Sequence, residues 1–367
     1  KSISDRLERL KDAENQIAQR LGLARLPSEM SAYDAENLMH SKAQKLLEDF
    51  ETQYVETIAE SVKAADLSLD QVGLYLLARH APERNAVIAQ KERDLRAAQV
   101  QRLQDQIEAA DAEGESTAAL EQRLSVLNEA PFRFQETGSG LTDQQAQQVI
   151  DQADADGKST ALEGIADQVY KMLDDMREDM VNKGLLDEQT REDWEDTYQF
   201  YVPLKGFASY PEGQEMRSGV KASGFSIRGS ESFKAKGRVT LPVNPLLEAF
   251  KDAEDKIIRG ERNVIAQRLL SLFQANPSTQ WEVFNNRYRP DDLDDPSQKL
   301  SIARMKRERN TDGLFRFIQV KRGGQTFFIE VKDRELNRQL QSSGVGMFNA
   351  SVDFMNKVYN TLTKFQN

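Results

Sequence analysis

The stretch TYQFYVPLKGF, residues 197–207, divides the sequence into a helical part before it and a mixed part after it. Trp194, Tyr198 and Tyr201 recur at spacings of four and three, which predicts a helix with three large aromatic side chains on one buried face. Pro203 ends this predicted helix, because proline lacks a backbone N–H and biases the preceding residue toward an extended conformation. The stretch therefore predicts a core helix that ends before Pro203, where the proline fixes the direction of the following chain.

The composition limits both the fold and the class of function. The chain has 367 residues, which is enough for two or more domains with a substantial core. Its formal net charge is −11, which disfavours a protein that binds DNA over its whole surface. Without cysteine it has no disulfides, no thiolate metal site and no cysteine nucleophile. The start, Lys1-Ser2-Ile3, is neither a signal peptide nor an initiator start, so we expect a piece of a longer protein.

Apolar residues recur at helical spacing through most of the first 205 residues. Residues 1–66 are predicted to form N-terminal helices, the second from about Ser31 to Ala65. A capping-box pattern at Ser68 and Gln71 begins a further helix, which is expected to end near Pro82. Residues 67–205 are therefore predicted to form a helical body.

Residues 86–129 predict a helical hairpin within this body. Its apolar positions, among them Leu95, Leu103 and Ile107, are separated by charged residues and glutamine, and the pattern breaks only at residues 112–116. Narrow apolar stripes of this kind are typical of a helix that buries one seam. Two interpretations remain open: these three residues contact a neighbouring copy or a partner, or the hairpin is a solvated arm.

Residues 206–240 predict a glycine-rich basic connector. Its basic residues are Arg217, Lys221, Arg228, Lys234, Lys236 and Arg238. Exposed N–H groups and basic side chains suit phosphate, so contact with nucleic acid, including DNA, is one expectation. A mobile connector, or one that docks on an acidic neighbouring surface, is the other.

The last third of the chain mixes helix and strand. Asn244-Pro245 is a typical helix start and predicts one long helix within residues 241–279. Residues 280–332 predict a small β element, with a hairpin about Gly323-Gly324, and residues 333–367 predict C-terminal helices. The expected fold class is mainly α: an elongated multi-helix bundle with a small antiparallel β-hairpin element near the C-terminal third.

Motifs that carry chemistry are scarce. His40 and His80 lie on different predicted helices, so they indicate neither a local metal-binding pair nor a Ser-His-Asp order. An EF-hand-like spacing has Gln152 in place of its first carboxylate, which favours an exposed loop over a calcium site. We therefore expect no enzyme, no cofactor, no metal and no small-molecule substrate.

Several short motifs, taken in order, resemble a known family. They are LYLLARHAPERN (74–85), SGLTDQQA (139–146), YVPLKGF (201–207), GFSIRG (224–229), NPLLEAFKDAEDKIIRGERNVIAQRLLSLF (244–273) and TFFIEVKD (326–333). Together they resemble the large polyvalent protein-associated domains found inside very large proteins of phages and conjugative elements. The motif residues singled out here are Arg79, His80, Pro82, Arg84, Asn85, Tyr201, Pro203 and Gly206. The family usually has arginine where Lys205 stands.

The resemblance implies a location and partners rather than an activity. It implies a segment of an internal, or ejection, protein of a short-tailed phage, held in the virion interior and then ejected with the genome into the host cell envelope or cytoplasm. Its implied partners are copies of itself, the portal and other ejection proteins. Two alternatives stay open: nucleic-acid contact through residues 217–238, and a domain that accompanies an RNA polymerase or muralytic enzyme elsewhere in a giant polypeptide.

Overall fold

The structure is a computed structural model that describes residues 7–134, 136–205, 222–228, 237–285, 302–311, 313–342, 354 and 356–362. Helix accounts for 67% of these residues, which confirms the predicted mainly α fold with a small antiparallel sheet. The helices are α1 (Glu8–Arg20), α2 (Ala32–Phe50), α3 (Thr57–Ala64), α4 (Leu69–Ala112), α5 (Ala118–Glu129), α6 (Asp143–Ala155), α7 (Ser159–Asn182), α8 (Glu188–Thr197), α9 (Pro245–Ala275), α10 (Ile302–Met305) and α11 (Arg334–Ser342). The strands are β1 (Ala222–Ser223), β2 (Ser226–Ile227), β3 (Trp281–Phe284), β4 (Phe317–Arg322) and β5 (Gln325–Val331).

Helix α9 lies at the centre of the core. Side chains on all of its faces are buried, from Leu246 and Phe250 near its start to Leu269 and Phe273 near its end. Helices α2, α4 and α7 pack against it, and so do strands β2, β3 and β4. An interior position explains why its apolar residues do not follow a single stripe.

Local capping signals start three helices, and those of α4 and α9 lie where the sequence predicts them. Ser68 and Gln71 form a complete capping box at α4, and Thr142 and Gln145 form another at α6. At α9 the Asn244 side chain accepts a hydrogen bond from the Leu246 N–H. Each cap satisfies backbone N–H groups that the first helical turn leaves unpaired.

The larger sheet has three antiparallel strands in the order β3-β5-β4. The turn between β4 and β5 is formed by Gly323 (φ 54°) and Gly324 (φ 71°), as the two positive φ angles of a tight hairpin turn require. Strand β3 adds to the other edge of β5, with Trp281 opposite Val331. Trp281 also stacks on Phe273 of α9, with ring centroids 4.3 Å apart, which attaches the sheet to the core.

The predicted end of one helix, at Pro82, is wrong. Pro82 does not end its helix: α4 continues through it to Ala112. An internal proline costs about 3 kcal/mol, but a straight continuation keeps residues on both sides of it in the core, from Leu76 and Leu77 to Ile88. The predicted helix from about Ser31 to Ala65 has the predicted ends, with Ser31 as its N-cap and Ala65 as its C-cap, and it contains a π-helical segment, Glu51–Glu56, between α2 and α3.

Residues 197–207, which we call the organising stretch, also differ in structure from the prediction. Helix α8 ends at Thr197, and Tyr198 already has extended backbone angles (φ −139°, ψ 110°). Trp194 and Tyr201 therefore do not share a helical face. The chain leaves the helix six residues before Pro203, because the side chain of another helix takes over its backbone N–H groups, as described next.

Candidate functional site

Asn85 of α4 joins two of the motifs through four hydrogen bonds. Its side chain is 5% exposed. Its Oδ1 accepts from the N–H groups of Gly138 (2.7 Å) and Ser139 (2.8 Å). Its Nδ2 donates to the Leu141 carbonyl (2.9 Å) and to Asp143 Oδ1 (2.7 Å). Every hydrogen-bonding position of the amide is used, so this motif residue holds the loop before α6 against α4.

Glu83 joins α4 to the organising stretch in the same way. Its carboxylate accepts hydrogen bonds from the N–H groups of Gln199 (2.9 Å) and Phe200 (3.1 Å). Burial opposes ionisation of Glu83, but His80 at 3.7 Å and these two N–H groups outweigh it and lower the pKa of the carboxyl group. The carboxylate of Glu83 on α4 therefore binds the backbone that follows α8, and the chain leaves the helix there.

Four aromatic rings meet beside Glu83, and we call them the aromatic cluster: His80, Trp194, Tyr198 and Tyr201. The His80 centroid lies 5.2 Å from that of Tyr198 and 5.7 Å from that of Tyr201. Trp194 lies edge-on to Tyr201 at 5.0 Å. Trp194 thus packs with Tyr198 and Tyr201 of the organising stretch through a turn, and not on the single helical face that their spacing predicted.

His80 is fully buried in this cluster. Neither of its ring nitrogens has a hydrogen-bond partner among the described residues, and the nearest carboxylate oxygen, of Glu83, is 3.7 Å away. Burial lowers the pKa of His80 below its ordinary value, so the ring is neutral at pH 7. The geometry makes His80 an apolar packing residue and not a general base.

A charged network next to the cluster joins the organising stretch to α9, where the Lys256 ammonium lies 5.8 Å from the Trp194 ring centroid. Lys205 pairs with Asp252 (3.1 Å) and with Glu248 (4.0 Å), and Lys256 pairs with Asp252 (2.7 Å). Burial raises the pKa of Asp252, but Lys256 and Lys205 more than offset it and the pKa is lowered. Lys205 thus anchors the end of the organising stretch to the central helix α9.

The structure describes only part of the predicted basic connector. Arg217, Lys221, Lys234 and Lys236 lie outside the described residues, as does the motif residue Gly206. Arg238 donates to the carbonyls of Thr240 (2.9 Å) and Leu241 (3.4 Å), so its guanidinium holds its own turn. Arg228 lies in another part of the fold from Arg238, beside α11, where it donates to Gln341 Oε1 (3.1 Å).

The predicted hairpin is formed by α5 and the part of α4 beyond Ala89, and we call residues 90–129 the arm. Helix α5 has no buried residue, and Ala89 is the last buried residue of α4. Leu103 and Ile107 are half-buried where α5 packs on α4. Leu95, in contrast, is 66% exposed. The three candidate interaction residues therefore do not form one outward surface.

The base of the arm is fastened by side chains that the sequence analysis did not single out. Arg96 donates to the carbonyls of Ala130 (2.6 Å) and Pro131 (3.1 Å), and its guanidinium lies 3.7 Å from the Phe132 ring centroid. Glu92 accepts from the N–H groups of the two following residues of that loop, 133 and 134. Carboxylates and guanidiniums that bind backbone have no sequence signature of their own, since the bound backbone is distant in sequence.

Residues 304–309 form a basic segment that was not among the sites predicted from the sequence. Arg304, Lys306, Arg307 and Arg309 are exposed in and just after α10, with Glu308 as the one acid among them. Four bases within six residues of an acidic chain are a signal that the sequence does carry. Elsewhere in the described part, a surface cleft of about 450 Å³ is lined by Leu314, Arg334, Glu335 and Arg338.

Among the described residues no group of three or more His, Cys, Asp or Glu side chains is placed to hold a metal ion. Within the same residues no helix combines the length and the apolar composition needed to cross a bilayer. Comparisons with models of protein families, with curated proteins and with solved structures find no match to this chain. The resemblance to the polyvalent protein domains accordingly remains an expectation based on short motifs.

Proposed function

We propose that this chain is a non-enzymatic structural and interaction segment of a phage internal virion protein, packaged in the capsid and ejected with the genome. It assembles with its own copies, with the portal or with other ejection proteins. The observation that carries the proposal is the arm: about 40 residues of paired helix whose side chains contribute nothing to the buried core.

The length of the arm supports contact with another molecule. At about 1.5 Å per residue the 44-residue helix α4 is about 66 Å long. An isolated pair of helices with half-buried apolar residues gains little stability from its own seam. The arm also exposes Leu95 (66%) and Val126 (64%) to solvent. A second helix packed on this surface would bury both side chains, each worth about 1.5–3 kcal/mol.

The charges of the arm favour another copy of the chain as the partner. Residues 103–122, at its tip, contain six carboxylates and no basic residue: Asp105, Glu108, Asp111, Glu113, Glu115 and Glu121. Residues 90–102, nearer the body, carry Lys91, Arg93, Arg96 and Arg102 against Glu92 and Asp94. Two arms packed in opposite directions would place the acidic tip of each beside the basic half of the other.

The motif residues support a structural role as well. Asn85 and Glu83 bind backbone of this same chain, and Lys205 pairs with α9. Their hydrogen-bonding capacity is thereby taken up by the fold, in contrast to catalytic groups that face a substrate cleft.

The test is the assembly state of the chain with the arm surface changed. We expect sedimentation velocity of the wild type at tens of micromolar to show concentration-dependent association, and the double change Leu95→Ser and Val126→Ser to weaken it at least tenfold. Leu38→Ser is the matched control, since Leu38 is 65% exposed on α2, away from the arm. Equal weakening by the control, or particles in which the arm contacts only solvent and the chain occurs as isolated copies, would contradict the proposal.

A further inference from the structure

Two arginines from distant parts of the chain stack on one phenylalanine. The guanidinium carbon of Arg228 lies 3.2 Å from the Phe315 ring centroid, and that of Arg309 lies 3.9 Å from it. The two guanidinium carbons are thus no further apart than the sum of these distances. Arg228 follows the β1–β2 hairpin, and Arg309 follows α10, so tertiary folding alone brings these like charges together.

Neither of the two guanidiniums forms an ion pair within the described part of the chain. Arg228 donates to Ser226 Oγ (3.3 Å) and Gln341 Oε1 (3.1 Å), and Arg309 donates to the Gly313 carbonyl. Burial and the nearby Arg309 charge lower the pKa of Arg228 to about 10. The neighbouring Arg316, by contrast, has Glu330 at 2.7 Å. The pair on Phe315 is therefore a concentration of positive charge that cation–π contact only partly offsets.

The positive charge continues beyond the pair. Arg304, Lys306 and Arg307 are exposed on α10 and the turn that follows it. Glu308, which Arg304 approaches at 3.5 Å, is the one acid between residues 304 and 309. The chain as a whole has a formal net charge of −11, so this surface is opposite in sign to the molecule that carries it.

We propose that Arg228 and Arg309, held on Phe315, bind a phosphate group, and that Arg304, Lys306 and Arg307 extend the site along the phosphates of a nucleic-acid strand. A guanidinium presents paired donors that match two phosphate oxygens, with bonds of about 2.8 Å. One phosphate can accept from both guanidiniums on different oxygens and remove the repulsion between them. The row of further bases exceeds what a single phosphate needs, which favours a phosphodiester backbone as the source.

The first experiment tests the phosphate group alone. Thermal unfolding of the full chain is followed in inorganic pyrophosphate and in chloride at equal ionic strength. We expect pyrophosphate to raise the Tm of the wild type by several degrees, because a ligand that binds only the folded state stabilises it. Arg309→Gln, at an exposed position, should abolish the shift. Arg102→Gln, which removes the same charge from an exposed position on the arm, should retain it.

The second experiment distinguishes the sources of phosphate. Anisotropy of a labelled 20-nucleotide single-stranded DNA is titrated with the chain at several salt concentrations. We expect binding that weakens with salt, and Arg309→Gln and Arg228→Gln each to reduce the salt slope by about 0.7, the value for one phosphate contact on a single strand. A pyrophosphate shift without DNA binding would support the phosphate site and overturn its extension along a strand. Absence of both effects, or effects that Arg309→Gln and Arg102→Gln alter equally, would overturn the proposal.

Discussion

At the scale of single residues, the polar side chains of the motifs act as substitutes for missing backbone partners. Loops cannot satisfy their own N–H and C=O groups when they are buried, so a side chain from a neighbouring element has to do so. Asn85 does this for residues 138–141, Glu83 for residues 199–200, and Glu14 for the start of α2 through the N–H groups of Ala32 and Tyr33. Because each side chain serves several groups, its loss exposes several unpaired groups at once.

We expect Asn85→Ala to lower the free energy of unfolding by about 3 kcal/mol, since it leaves two buried N–H groups without partners and leaves the Leu141 carbonyl with Ser139 Oγ as its donor. Urea denaturation measures the change. Gln90→Ala on the same helix is the control, because Gln90 is exposed and its two partners, Arg93 and Asp94, are exposed side chains, so we expect a change under about 0.5 kcal/mol. Similar values for the two variants would show that the loop does not depend on Asn85.

The buried, neutral His80 predicts a dependence of stability on pH. Its folded-state pKa is lowered from the ordinary 6.5, so on acidification the unfolded chain takes up the proton first. Stability is therefore full above about pH 6.5 and falls below it, by at most about 1.4 kcal/mol per pH unit for one proton. The carboxyl group of Glu83, whose pKa is lowered from 4.5, contributes only at lower pH.

Urea midpoints between pH 5 and 7.5 measure this effect. His40→Gln is used as the background, so that His80 is the one histidine of the chain. We expect stability to fall below pH 6.5 in this background and to stay nearly level when His80→Phe is added. An unchanged slope after the second substitution would mean that other groups titrate in this range.

At the scale of elements, a glycine cannot be replaced without a clash where two backbones approach closely. Gly224 (φ 61°) lies in the turn of the β1–β2 hairpin, and a Cβ atom there would be 2.0 Å from the carbonyl oxygen of Leu340 in α11. Phe225 donates its N–H to the same carbonyl at 2.8 Å. The hairpin of the GFSIRG motif is thus fitted onto the end of α11, and its strands are only two residues long.

We expect Gly224→Ala to destabilise the chain by more than about 3 kcal/mol, because it combines positive-φ strain of about 1–2 kcal/mol with a backbone clash. Gly157→Ala is the matched control: φ is 67° and nothing lies within 4 Å of a Cβ atom, so only the strain should appear. Thermal and urea unfolding of both variants separate the two costs. If the variants lost stability equally, the contact with α11 would carry no energy.

At the scale of the whole molecule, the two ends of the chain pack together. Helix α1 lies against α11, where the Arg9 N–H donates to Gln339 Oε1 (3.0 Å). Residues 356–362 are helical, and Phe354 places its ring 6.0 Å from that of Phe50 at the end of α2. The N-terminal helices therefore complete their core with residues from the end of the chain, and the two predicted terminal regions are not independent.

We expect Phe354→Ala to destabilise the whole chain by about 3–5 kcal/mol, as for a large aromatic side chain in a core, because Phe354 is 3% exposed. Asn356→Ala, at an exposed position two residues later, should change stability by less than about 0.5 kcal/mol. Hydrogen exchange in α1 and α2 adds a second readout, since loss of Phe354 should reduce protection there. Protection that falls only in residues 356–362 would show that this segment is a separate unit.

The features that the sequence alone specifies are helix starts and turns, which depend on patterns of a few neighbouring residues. The capping box at Ser68, the Asn244-Pro245 start of α9 and the Gly323-Gly324 turn are where they were predicted, because each is set by side chains within three positions of the backbone they serve. The mainly α class follows from the same local periodicity.

Contacts between residues that are distant in sequence depend on the tertiary structure. Pro82 stays inside α4 because burial on both of its sides offsets the local cost. The exit of the organising stretch is set by Glu83, over a hundred residues earlier, which overrides the helical spacing of Trp194 and Tyr201. Arg228 meets Arg309 on Phe315 because the β1–β2 hairpin packs on β4 and Met305 of α10 packs on Phe317 and Phe328 of the same sheet. The periodicity of a sequence shows which face of a helix or strand is apolar. The hydrogen-bond partner of a polar side chain is set only when the helices and strands pack together.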